Sequence, residues 1–328
     1  MRPDRRALLA APFLALAPAA RAQGFPSRPV RIVVPLPPGG AVDITARLLA
    51  ERLPVFLGQP VIVENRGGAG GNIGAEAVAR AEPDGHTILL GTVTLLAANR
   101  FLYARSMPIE PLRDLAPLTR AATGTVLLVV NANRPWRSFA ELLAAARAAP
   151  GRITMGSSGI GAVSHLTLAT LNRAAGVDIT HVPYRGGGPA IADLVAGNID
   201  MMFDVIPALM PHVREGRFRP LAVGSAERVT YVPELGDVPG MAEVLPGSGI
   251  DMQSWYAFAA PARTPPAALS ALHAAILSAV DEPGFAERLR PLGFTPIRDA
   301  SPEAFGAFWR AEEARWQAIV QASGATLE

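Results

Sequence analysis

The 328-residue chain contains no cysteine and no lysine; all 30 of its basic residues are arginine. Lack of cysteine excludes disulfides, thiolate metal sites, a lipid-modified cysteine and a thiol nucleophile. Lack of lysine excludes a Walker-type phosphate lysine, a Schiff base and a lysine general base, and with them several enzyme classes. Charged residues make up 18% of the chain and aromatics 6%, whereas half the residues are apolar. A chain of this length can form one large or two ordinary domains, and stability must come from the core alone.

The basic residues are unevenly placed. Arg2, Arg5 and Arg6 precede an apolar run from Ala7 to Ala17, and Ala20-Arg-Ala22 follows as an A-x-A cleavage site. This is the pattern of a secretory signal peptide over residues 1–22, cut after about Ala22, and it predicts a periplasmic protein. The apolar run is far shorter than the ~20 residues of a membrane span. Arg5-Arg6 leaves the Sec and twin-arginine routes both open. Setting the leader aside removes four arginines and one aspartate and turns the formal net charge from +2 to −1. A nucleic-acid partner thereby loses its main support and is not expected.

What remains is dominated by strand–loop–helix units. Val30–Val34 is a β-branched run that enters Pro35-Leu-Pro-Pro-Gly-Gly40 and then a helix from about Val42. Such a loop leaves the first helical N–H groups unpaired beside the positive end of the helix dipole, a small anion site. Val42, Leu49, Leu53 and Phe56 form the apolar face of that helix, and Pro54 predicts its end or a kink near Leu53. The glycine-rich run 67–74 lacks the G-x-G-x-x-G spacing of a dinucleotide site, so it reads as a loop that lets the next helix dock closely. Gly91-Thr-Val-Thr94 forms a second strand-to-helix loop. Val126–Val130 is a buried strand, with a domain crossing placed just before it. Ser138-Phe-Ala-Glu141 is a capping box. The Ile153–Met155 strand then feeds Gly156-Ser-Ser-Gly-Ile-Gly-Ala162 and a helix from about Val163, a second small-residue anion site. Further strands cover 179–184, 200–204 and 219–223, and three C-terminal helices are expected to cover the first domain.

Several motifs together are specific: Val30-Arg-Ile-Val-Val-Pro-x-Pro-Pro-Gly-Gly-x-x-Asp43, Gly58-Gln-Pro-Val-Ile-Val-Glu-Asn-Arg66 and Gly68-Ala-Gly-Gly-Asn-Ile-Gly74. Ser157-Ser-Gly-x-Gly161 with His165, His181-Val-Pro-Tyr-Arg-Gly186 and Met202-Phe-Asp204 extend the pattern. In these the chain resembles the Bug family, the extracytoplasmic solute receptors of tripartite tricarboxylate transporters, over essentially the whole mature length. The resemblance implies an α/β, type II periplasmic-binding-protein fold: residues 23–125 and 247–328 in one domain, 126–246 in the other, with a ligand cleft between them. It also implies a small organic carboxylate ligand, a membrane permease as partner, no cofactor and a monomer. Carried over from the family, the ligand-binding residues are Pro37, Pro38, Gly39, Gly40 and Asp43 on one side and Ser157, Ser158, Gly159, Gly161 and His165 on the other. Thr92 and Asp204 would edge the cleft. One segment departs from the family: Thr94-Leu-Leu-Ala-Ala-Asn-Arg100 lacks the usual histidine. Leu95 or Leu96 at the distal end would favour an apolar or aromatic tail over a second carboxylate, because an unpaired buried charge is costly.

Two other readings use the same residues. An exported hydrolase would use Ser157 or Ser158 with His165, but Gly156-Ser-Ser-Gly-Ile misses the G-x-S-x-G elbow and His165 lies about two turns beyond the loop. A receptor feeding a membrane sensor would keep the fold and change only its output. His86, His181, His212 and His273 have no ligand spacing, so no metal site is expected. Asp43 reads equally as a helix cap, and Trp255 as core.

Overall fold

The computed structural model describes residues 24–327, so the signal-peptide reading of residues 1–22 lies outside the described residues. Ten strands alternate with helices: β1 Val30–Val34, β2 Val61–Asn65, β3 Thr87–Thr92, β4 Leu115–Asn131, β5 Thr154–Ser157, β6 Thr180–Pro183, β7 Met201–Val205, β8 Phe218–Val223, β9 Gln253–Pro261 and β10 Phe294–Pro296. They form one continuous path in the order β2-β1-β3-β9-β4-β7-β5-β6, with β8 and β10 also paired to β4. β1 is parallel to β2 and β3, and β5 is parallel to β6 and β7. The parallel pairs are joined by crossover helices, as the alternating pattern requires.

The central strand is longer than expected. β4 runs unbroken for 17 residues; Leu115–Thr125 pair with β9, and Val126–Asn131 pair with β7 and β8. The sequence pattern had shown only the second half. Pro117 obscured the first, and the strand absorbs it with register shifts between Pro117 and Thr119 and between Arg120 and Ala122.

The first helix, Ala41–Leu57, also outruns its expected end. Pro54 sits inside it and Gly58 closes it in the left-handed conformation, its N–H bonded to the Pro54 carbonyl at 2.9 Å. The proline lies in the last turn, where losing one N–H leaves only one carbonyl without its helical donor. Leu57, four residues after Leu53, takes the buried position, and Phe56 is 40% exposed. The close docking expected of the glycine run is found at Gly74, where a Cβ would lie 2.7 Å from the Arg66 carbonyl and 2.9 Å from Pro35.

Of the three C-terminal helices, Pro266–Val280 and Pro283–Leu289 pack on the β1–β3 side as expected. The third, Pro302–Ser323, instead bridges: it packs against β4, the Thr94–Ala98 turn and the Val163–Ala175 helix. Three buried tryptophans hold it. Trp309 Nε1 donates to the Leu96 carbonyl at 2.8 Å, while Trp255 and Trp316 both donate to Glu312 Oε2, at 2.9 and 3.2 Å. Trp255 is core, 1% exposed. No helix among the described residues is long and apolar enough to cross a membrane.

Glu312 thus satisfies two indole N–H groups that are buried. Glu312→Ala should destabilise the chain by about 2–4 kcal/mol, since each buried unsatisfied donor costs about 1–3 kcal/mol. Glu312→Gln, which keeps an acceptor, should cost much less. Equilibrium urea unfolding of the two variants checks this, and equal losses would contradict it.

Candidate functional site

β1 and β3 run toward the middle of β4 from one side, and β5 and β7, which run the opposite way, approach it from the other, so the loops that follow these four strands converge. A cavity of about 420 Å³ lies among them. Leu36, Thr92 and Thr94 come to its wall from the β1–β3 side, Ser158, Gly161 and Asp204 from the β5–β7 side, and Ser254 and Tyr256 of β9 close it between the two.

The Val163–Ala175 helix opens on this cavity. Its N-cap, Ala162, offers no side-chain acceptor, and Ala162, Val163 and Ser164 line the wall, so the first-turn amides are left for an occupant. The preceding loop is fixed from behind. Ser164 Oγ accepts the Ser158 N–H at 3.2 Å and lies 3.2 Å from Ser158 Oγ. His165 Nδ1 accepts the Gly161 N–H at 3.1 Å. Gly161 has φ +75°, and a Cβ there would come within 2.9 Å of Leu102 and Leu327, so both its backbone angle and its surroundings call for glycine.

His165 therefore folds back on its own loop and does not reach a serine as a base. Its ring stacks on His181, with centroids 4.0 Å apart and planes 8° from parallel, and His181 Nε2 lies 2.6 Å from Ser157 Oγ. Burial pushes His181 down to about 4, helped by the neighbouring His165, and burial lowers His165 as well. Both rings are neutral at pH 7. Ser157 has no exposed surface, and no carboxylate orients either ring among the described residues, so the arrangement holds a loop and does not form a triad. Sequence reasoning missed His181 because its partners lie 16 and 24 residues away on different elements.

The other expected site residues divide sharply. Thr92, Ser158, Gly161 and Asp204 line the cavity; Ser157, Gly159 and His165 sit behind it. Pro37, Pro38, Gly39 and Gly40 stand exposed beside it, and Leu36 alone of that loop reaches the wall. Asp43 does not reach the cavity wall. It is 1% exposed, and its oxygens accept from the Gly39 N–H at 2.9 Å, Arg47 Nε at 3.0 Å and Asn65 Nδ2 at 2.9 Å. Burial alone would raise its pKa, but Arg47, the Gly39 amide and Asn65 together hold it below the usual carboxylate range. Leu95 and Leu96 are likewise not in the wall. Each is 1% exposed; Leu96 folds over Gly91, and its carbonyl is held by Trp309. Because Thr94–Ala98 is a π-helical turn, Thr94 faces the cavity in their place. Ser254 and Tyr256 were legible in principle, since alternate residues of a strand share a face.

Residues 45–325 match the model of the tripartite tricarboxylate transporter family receptors, TctC. Protein BugT of Bordetella pertussis is 35% identical over 94% of this chain and 93% of its own length. Among solved structures, Rpa4515 of R. palustris with adipate superposes with TM-score 0.79 at 35% identity, covering 92% of this chain and all of that one. MatC (Rpa3494) of Rhodopseudomonas palustris with bound malate gives 0.75 at 33% identity, covering 90% of this chain and all of that one. The fold is that of these binding proteins, two α/β domains with a cleft between them. The chain belongs to the tripartite tricarboxylate transporter receptor family, of the Bug type.

Proposed function

We propose that this chain is a periplasmic solute receptor that binds a small organic carboxylate in the cavity between its two domains and delivers it to a tripartite-type membrane permease. The observation that carries the reading is the uncapped amino-terminal turn of Val163–Ala175 opening into the cavity, a neutral anion site built from amides and hydroxyls. Adipate and malate in two structural neighbours support the ligand class. On this reading, residues 23–125 with 247–328 and residues 126–246 are the two domains, and contacts from both walls favour the closed form. The family and its neighbours are binding proteins, consistent with a non-enzymatic role.

Purified residues 23–328 should unfold at a higher temperature in the presence of one or more of adipate, malate, succinate and benzoate, the shift growing with concentration. At 100 times the dissociation constant the stabilisation is about 2.7 kcal/mol. Gly161→Ala should weaken that binding by tenfold or more while the far-ultraviolet circular dichroism is retained. If none of these acids nor a wider set of mono- and dicarboxylates shifts the midpoint, the reading fails. Uptake of the bound acid that continues after deletion of the receptor would reject delivery to the permease.

The stacked histidines add a pH dependence. A histidine whose folded pKa is depressed contributes stability that is complete above its unfolded value near 6.5 and lost as pH falls toward about 4. The stability advantage of wild type over His181→Asn should therefore be largest above pH 6.5 and shrink steadily down to pH 4. Thermal melts of both proteins across that range test it, and a constant difference would contradict it.

A further inference from the structure

Two hollows of the molecule meet at a thin partition. Tyr103 and Leu327 line the cavity into which the Val163–Ala175 helix opens, and they also line a neighbouring pocket of about 520 Å³. Among the described residues no other side chain is common to the two walls. Ala69, Ile73, Ser106 and Pro108 are exposed, so this second pocket opens to solvent.

The two halves of the partition are held differently. The Tyr103 N–H donates to the Asn99 carbonyl at 2.8 Å, and its hydroxyl end stands over Gly70, where a Cβ would lie 2.9 Å from Oη. Leu327 lies beyond the last helix, in a stretch with no helix or strand of its own. Its N–H donates to the Leu102 carbonyl at 2.7 Å, and its Cδ1 lies 2.9 Å from where a Cβ on Gly161 would stand. Leu327 thus reaches from the segment after β3 to the loop that precedes the anion-binding turn. It lies outside the residues matched by the receptor family model, 45–325.

Behind the partition the polar groups already have partners. Asn72 Oδ1 accepts from Asn99 Nδ2 at 2.7 Å, and Glu76 pairs with Arg80 at 2.7 Å. What the outer pocket still offers is apolar surface, from Ala69, Ile73, Pro108 and the Tyr103 ring. A hydrocarbon group placed there gains burial and breaks no hydrogen bond.

Resting on the receptor reading above, we propose that Leu327 determines specificity by steric exclusion beside the carboxylate seat. Gly161 stands one residue before the N-cap of Val163–Ala175, whose first-turn amides receive the carboxylate, so the side chain packed on Gly161 borders the ligand's first carbons. An acid unbranched at carbons 2 and 3 fits beside Leu327. An alkyl branch there runs into it, while the room that would take the branch lies on its far side. Adding carbon against a packed side chain is unfavourable. The favoured class is therefore unbranched acids, in preference to their 2- and 3-alkyl derivatives.

Calorimetric titration of residues 23–328 tests the assignment with succinate against 2-methylsuccinate, adipate against 3-methyladipate, and butyrate against 2-methylbutyrate and 2-ethylbutyrate, each enantiomer taken separately. In at least one pair the unbranched acid should bind about tenfold or more tightly, the scale on which a pocket discriminates one methylene. Leu327→Ala removes three side-chain carbons. It should bring that ratio to within about threefold by strengthening the branched acid, the unbranched acid staying within about threefold of wild type. Leu327→Met, which keeps the bulk, should keep the wild-type ratio. Should the alanine variant not fold, Leu327→Val should move the ratio in the same direction. Equal binding within every wild-type pair, a ratio that the smaller side chain leaves unchanged, or an equal weakening of both acids overturns the specificity role and leaves the receptor reading standing. Absence of binding by any carboxylate overturns both.

Discussion

A single buried carboxylate holds the molecule's last helix in place. Glu312, 8% exposed, accepts the indole N–H groups of Trp255 and Trp316 on one oxygen and Arg315 Nη1 at 2.9 Å on the other. The helix it anchors packs on the central strand β4, on the Thr94–Ala98 turn and on the Val163–Ala175 helix. Those last two elements supply opposite walls of the cavity. The spacing of the walls thus depends on a contact made on the far side of the sheet, between a strand and the last long helix of the chain.

The two aspartates that the sequence marked show how environment separates identical side chains. Asp43 has donors for both oxygens, stays ionised and fixes the turn after β1. Asp204, half-buried in the cavity wall, has one donor for one oxygen among the described residues. Most buried polar groups are satisfied internally, and Asp43 follows that rule where Asp204 does not. The hydroxyls and amides around the cavity follow the same logic: Ser164 and His165 are committed to holding the loop, and the amides of the helix amino terminus remain available.

Much of this organisation is written locally. The β-branched runs at 30–34 and 126–130, the capping box at Ser138 and the small-residue loops before Val42 and Val163 are short-range signals, and they identified the strand–loop–helix units and the second anion loop. Non-local features were not legible. The first half of β4 carries a proline, the C-terminal helix chooses its partners through three tryptophans, and His165 meets His181 only after two strands align. The error at Leu95 and Leu96 has the same origin. Their direction is set by a π-helical turn and by Trp309, more than 200 residues away.

The unbroken course of β4 has a mechanical meaning. A strand whose first eleven residues belong to one part of the sheet and whose last six belong to the other leaves no slack between them. Any rotation of one part against the other has to be taken up as torsion of β4, and of β9 where it enters beside Thr125. Hydrogen-bonded strands resist torsion in proportion to angle, unlike a loose linker, which resists only when taut. The joint between the two parts is therefore ladder, not linker, and their relative orientation is tied to the register of β4 and β9.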